Sequence, residues 1–133
     1  MHTILLHHHR WWLIIGGSLI LLVIYLSLAP HPPHPNVAIP FSDKVGHGLA
    51  YFTLMSWFAQ LYQTPRQRRY LAIGFILLGG GLEIVQGLGG VRTADLWDFA
   101  ANTSGVLLSW WIVTFTKLGM ILSRIEQRWF KCH

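Results

Sequence analysis

The stretch Trp11-Trp12-Leu13-Ile14-Ile15-Gly16-Gly17-Ser18-Leu19-Ile20-Leu21-Leu22-Val23-Ile24-Tyr25-Leu26-Ser27-Leu28-Ala29 carries no charge. It is as long as the roughly 20 apolar residues a helix needs to cross a hydrocarbon core. Three further windows approach that length, residues 45–63, 70–88 and 99–116, although the third span contains Glu83 and the fourth contains Asn102. The composition agrees: 53% of the 133 residues are hydrophobic, only 11% are charged, and seven are tryptophan. Too few polar residues remain to solvate a water-soluble globule, so the chain is expected to form one membrane domain over residues 1–133. The predicted fold is all-α, a four-helix transmembrane bundle with a short amphipathic C-terminal tail.

The first window also has features of a secretory signal, because His7-His8-His9-Arg10 precedes it and Ser27-Leu28-Ala29 offers small residues for cleavage. Its apolar run exceeds the usual core of about 7 to 15 residues, and Pro30 would follow the cut directly. A retained anchor is therefore favoured.

Charge sets the orientation. Arg10, Arg66, Arg68, Arg69, Lys117, Arg124, Arg128 and Lys131 fall on one side of a four-span model, and only Lys44 and Arg92 fall on the other. By the positive-inside bias, both termini and the 64–69 turn are predicted to be cytoplasmic, with loops 30–44 and 89–98 outside. The net charge of +5 thus reports topology, and no basic stripe points to nucleic acid. Cys132 is the only cysteine, which excludes an internal disulfide and a cysteine-based metal site. No cofactor is implied.

The first outer loop holds Pro30, Pro32, Pro33, Pro35 and Pro40 and is expected to be a stiff, extended connector. His31 and His34 read as solvated loop residues. The contiguous His7, His8 and His9 would splay around a helix and could not converge on an ion. After Lys117, Ile121, Ile125 and Trp129 alternate with Arg124, Arg128 and Lys131, the pattern of a basic amphipathic helix on an anionic inner leaflet.

The acidic residues collect at the opposite end. In span two, Asp43, His47 and Tyr51 recur every four residues and share a face. Asp43 there either orients and activates His47 or, with Ser42, caps the helix. In span three, Glu83 and Gln86 share a face. A carboxylate in hydrocarbon costs on the order of 3 kcal/mol, so Glu83 is expected to face the bundle interior, serving function or closing a buried network. In span four, Asp98, Asn102 and Gly105 form one stripe after Asp95, a helix cap. Arg92 has a fork suited to a carboxylate or phosphate, or to a plain salt bridge with Asp95 or Asp98. At about 1.5 Å per residue, His47, Glu83 and Asn102 are expected in one layer roughly 6 to 8 Å below the outer ends of their helices.

The ordered pattern Asp43-Lys44-x-x-His47-x-x-x-Tyr51, Glu83-x-x-Gln86, Arg92-x-x-Asp95-x-x-Asp98-x-x-x-Asn102-x-x-Gly105 resembles the VanZ-like family of small polytopic membrane proteins. The resemblance covers residues 43–109. It departs at Gly90-Val91, where a Pro-Gly pair often stands, and at Ser109, where glycine is usual. The resemblance implies a multi-pass protein of the bacterial cytoplasmic membrane, linked by the family's name to teicoplanin sensitivity.

Three functions follow as expectations. One is binding of a membrane lipid or lipid-linked peptidoglycan precursor, with Lys44, Tyr51, Gln86, Arg92, Asp95 and Asn102 as ligand-binding residues. A second is a membrane-embedded enzyme, with His47 tuned by Asp43 as base and Glu83 or Asp98 as acid, or with His47, Glu83 and Asp98 on a metal. No recognisable nucleophile accompanies them. The third is a non-catalytic bundle that partners with other envelope proteins.

Overall fold

A computed structural model describes residues 9–28, 42–89 and 96–131, and among these the chain is helical apart from short connections, with no strand. Helix α1 runs His9–Leu28, α2 Ser42–Leu61, α3 Pro65–Leu88, α4 Leu96–Phe115 and α5 Ile121–Lys131, with a short 3-10 turn Lys117–Met120 before α5. The first four follow the four expected windows with shifted ends. The largest shift is at α3, which starts at Pro65, well before residue 70. Thr64 explains it: its hydroxyl accepts from Gln67 N at 3.2 Å, the Gln67 side chain accepts from Thr64 N at 3.4 Å, and Pro65 supplies a preset first turn. A capping box followed by proline starts a helix even across three arginines.

Two of these helices, α1 and α3, are long and apolar enough to cross a membrane. Helices α2 and α4 carry more polar residues, among them Ser56 and Gln60, and Thr103, Ser104 and Ser109. These two form the most extensively packed pair. Their crossing is set by glycine, since a side chain at Gly105 would collide with the backbone carbonyl of Gly48. The hydroxyls of Ser56 and Ser109 meet at 2.6 Å further along the same interface. Tyr51, Leu54, Met55, Ala59, Val106 and Val113 fill the core around this seam.

Helix α1 lies against α2, with Gly16 directly under the Phe58 ring and the Trp57 indole donating to the Trp12 carbonyl at 3.0 Å. These contacts, with those of Arg68 below, bring the start of α1, the end of α2, the start of α3 and the end of α4 to one end of the bundle. Helices α2 and α4 run parallel to each other and antiparallel to α1 and α3. The basic end expected from the sequence is therefore one physical end of the molecule.

That end is more than the row of positive charges and the surface-lying tail expected from the sequence. Arg68 is buried and donates through Nε and Nη2 to the Ala59 carbonyl at 3.3 and 3.0 Å, and through Nη1 to the Val113 carbonyl at 2.9 Å. It thereby satisfies orphaned carbonyls in the last turns of both α2 and α4. The tail also differs from a helix that merely lies on a membrane. Leu122, Ser123 and Glu126 are buried, Gln60 grips the Leu118 carbonyl at 2.7 Å and the Leu122 amide at 3.3 Å, and the Trp12 indole donates to Glu126 at 2.6 Å. One face of α5 closes the end of the bundle, while Ile121, Ile125 and Trp129 remain exposed with Arg124 and Arg128.

Candidate functional site

At the opposite end the polar residues of α2, α3 and α4 face one another. Each helix contributes a pair one turn apart: His47 and Tyr51, Glu83 and Gly79, Asp98 and Asn102. The deeper members pack together, because the position of a Cβ on Gly79 lies 3.3 Å from Asn102 Cβ and 3.4 Å from the Tyr51 ring. Gly79 is what lets Asn102 and Tyr51 approach α3. One turn outward, His47 Nε2 stands 3.9 Å from Asp98 Oδ2, an ion-pair separation whenever the imidazole is protonated. Glu83 is buried, and it lies close enough to act electrostatically on the Tyr51 phenol.

The cluster thus has two tiers. His47, Glu83 and Asp98 occupy the outer tier, while Tyr51 and Asn102 sit one turn deeper around Gly79. The single layer of His47, Glu83 and Asn102 expected from rise per residue is corrected on this point, since α4 begins at Leu96 and Asp98 reaches the level of His47. Asp98 lies in the first turn of α4, where the helix dipole favours a carboxylate.

Most of the outer tier is half-buried or buried, and the deeper tier is closed: Tyr51 is 1% and Asn102 2% exposed. Among the described residues, Tyr51 Oη and Asn102 Oδ1 find no hydrogen-bond partner. Side chains on a helix tilt toward its N-terminus, so the Tyr51 phenol is carried toward the outer tier. Both atoms lie under the His47–Asp98 pair.

Gln86 has a different part. Its amide nitrogen donates to the Ser27 carbonyl in the last turn of α1, and both residues are buried. This bond fastens α1 to α3. Of the remaining expected residues, Asp43 and Lys44 fall in the first turn of α2 with side chains outside the described set, and Arg92 and Asp95 lie outside the described residues. Among the described residues no three His, Cys, Asp or Glu side chains gather as a metal site, His47, Glu83 and Asp98 included.

Sequence reasoning missed Gly48 and Ser27. The run Gly79-Gly80-Gly81 before Glu83 reads in the sequence as permitting close helix packing, without a hint of which glycine faces the cluster. Ser27 takes part through its backbone carbonyl, which no side-chain pattern advertises. Compared with family models, curated proteins and solved structures, the chain matches none.

Proposed function

We propose that this chain is a VanZ-like, four-span protein of the bacterial cytoplasmic membrane, both termini inside, whose outer polar cluster binds the headgroup of an envelope lipid or lipid-linked cell-wall precursor. The membrane reading draws support from an inverted distribution of polarity. Large apolar side chains such as Leu21, Tyr25, Leu77, Ile84 and Leu88 are exposed, while Gln60, Arg68, Glu83, Gln86 and Asn102 are buried. A surface of this kind suits hydrocarbon, in which helices associate through small residues and interhelical hydrogen bonds, as at Gly48, Gly105, Ser56 and Ser109. In this reading Ser109, where the family usually has glycine, keeps the small volume and shares a hydrogen bond with the Ser56 hydroxyl.

The binding reading rests on one observation above the others: among the described residues, Tyr51 Oη and Asn102 Oδ1 are buried without hydrogen-bond partners beneath His47, Glu83 and Asp98. A buried polar atom left unsatisfied costs about 1–3 kcal/mol, a cost that a bound headgroup hydroxyl or amide would offset. The parallel α2 and α4 both turn their N-termini toward this end, which favours an anion. Lys44 and Arg92 would add to that preference. Protein extracted with its native membrane lipids should retain a discrete lipid in native mass spectrometry, and Arg92→Ala should weaken its retention. Unchanged retention, or none in the wild type, would remove this reading.

The His47–Asp98 pair favours a second reading, acid–base chemistry on a lipid phosphoester or acyl bond. Asp98 would take the orienting place that the sequence offered to Asp43. Turnover of a lipid-linked pyrophosphate that disappears in His47→Gln would establish it, and its absence would leave binding.

A further inference from the structure

A second recess opens on the α1 side of the bundle. Between α1, α2 and α3 runs an open-sided groove of about 440 Å³, lined by Ile20, Gly74, Phe75 and Leu78 among others. It exists because α1 leans on α2 through Gly16 and is tied to α3 at the far end by Gln86, which leaves the two helices apart in between. At the basic end the lining turns polar, through Tyr62, Gln67 and Tyr70. Charge gathers at this mouth. The Arg66 guanidinium lies over the Tyr70 ring at 5.7 Å from its centroid, and His9 stands edge-on to Tyr62 at 6.0 Å. Gln67 is held there by its capping bond to Thr64.

Taken with the membrane orientation proposed above, on which this step rests, the groove has the dimensions of one leaflet. From Gln67 to Leu78 a helix climbs roughly 17 Å, about half of a ~30 Å hydrocarbon core. We propose that it holds one acyl chain of an anionic inner-leaflet phospholipid, with the lipid phosphate at Arg66 and Gln67 and the tyrosines at headgroup level. An apolar trough that begins at a cationic, tyrosine-lined mouth matches the order of groups along such a lipid. The Arg66 guanidinium lies over the ring of Tyr70, a lining residue, a contact that leaves its N–H donors for the phosphate.

Native mass spectrometry of the full chain in detergent, titrated separately with phosphatidylglycerol and phosphatidylcholine, tests this. The expected result is one tightly held phosphatidylglycerol, with phosphatidylcholine held more weakly. Arg66→Gln should reduce that preference about fivefold, the effect of one arginine near an anionic headgroup. A Cβ on Gly74 meets nothing within 4 Å, so Gly74→Phe fills the groove without crowding backbone and should abolish this lipid while leaving the outer lipid in place. Tyr51→Phe should do the reverse, which separates the two sites. Equal binding of both lipids by the wild type, or undiminished binding by Gly74→Phe, would overturn the proposal. A lipid-free dimer that Gly74→Phe converts to monomer would overturn it in favour of a second copy of the chain. Recovery of the chain in the soluble fraction of lysed cells would overturn the membrane reading and this site with it.

Discussion

Arg68 stands where two helix ends converge, and its three hydrogen bonds to Ala59 and Val113 do what no shorter side chain can. Hydrogen bonds to a charged group contribute about 1.5–3 kcal/mol each, and removing the donor leaves two carbonyls without it. Arg68→Ala should therefore destabilise the bundle by roughly 3 kcal/mol or more, read as a marked fall in thermal midpoint in detergent. Arg68→Lys should recover only part, because an ammonium lacks the planar fork that bridges both carbonyls. Arg66→Ala and Arg69→Ala, both exposed, should leave the midpoint nearly unchanged. Equal effects at all three would mean that charge alone matters at this end. The positive-inside bias could not separate these arginines, since it counts residues without regard to direction. Periodicity could have done so: Arg68 shares a helical face with Ala72, Phe75 and Gly79, all buried, whereas Arg66 and Arg69 do not.

Among the elements, the α2–α4 pair sets the site, and two glycines set the pair. Gly105→Ala drives a methyl group into the Gly48 carbonyl, which is backbone and cannot move aside. The helices must separate or rotate, and His47 and Asp98, which lie on them, must separate too. This variant should lose abundance or lower the midpoint by several degrees. Gly46→Ala meets nothing within 4 Å and should be neutral or mildly stabilising, because alanine is favoured over glycine in helices by about 1 kcal/mol. Similar behaviour of the two variants, measured by melting, would show that the crossing is not glycine-limited. Gly105 was legible as part of the stripe Asp98, Asn102, Gly105. Gly48 was not, because a glycine one residue beyond His47 carries no signal until its partner helix is known.

For the whole molecule, the charge distribution and the packing agree. Among the described residues, every Lys and Arg but Lys44 lies where α1 starts, α2 and α4 end and α5 docks, and every acidic residue but Glu126 lies at the other end. Reporter fusions should find the regions before α1 and after α5 in the cytoplasm and an insertion at residue 36 outside. A cytoplasmic residue 36 would reverse or dissolve the proposed topology. The all-helical fold and four main helices were readable because apolar length and charge bias act along the chain. The docking of α5 was less so. Its exposed Ile121, Ile125 and Trp129 dominate the pattern, while the face that closes the bundle uses Leu122, Ser123 and Glu126, two of them polar. The candidate site was legible in its membership, since i, i+4 spacing places His47 with Tyr51 and Asp98 with Asn102. Its tiers depend on where each helix begins and on Gly79, which only the assembled bundle fixes.

The central claim is that the polar cluster binds a ligand and does not merely pack, and Tyr51→Phe tests it most directly. If the cluster only packs, removing a buried hydroxyl that has no partner among the described residues should be neutral or stabilising, with no other consequence. If it binds a lipid headgroup, the stability of the delipidated protein should again be unchanged or raised. Native mass spectrometry of protein extracted with its own lipids should then show the outer lipid bound about tenfold more weakly than in the wild type, equivalent to roughly 1.4 kcal/mol. The same lipid, retained to the same extent in both proteins, would contradict the claim.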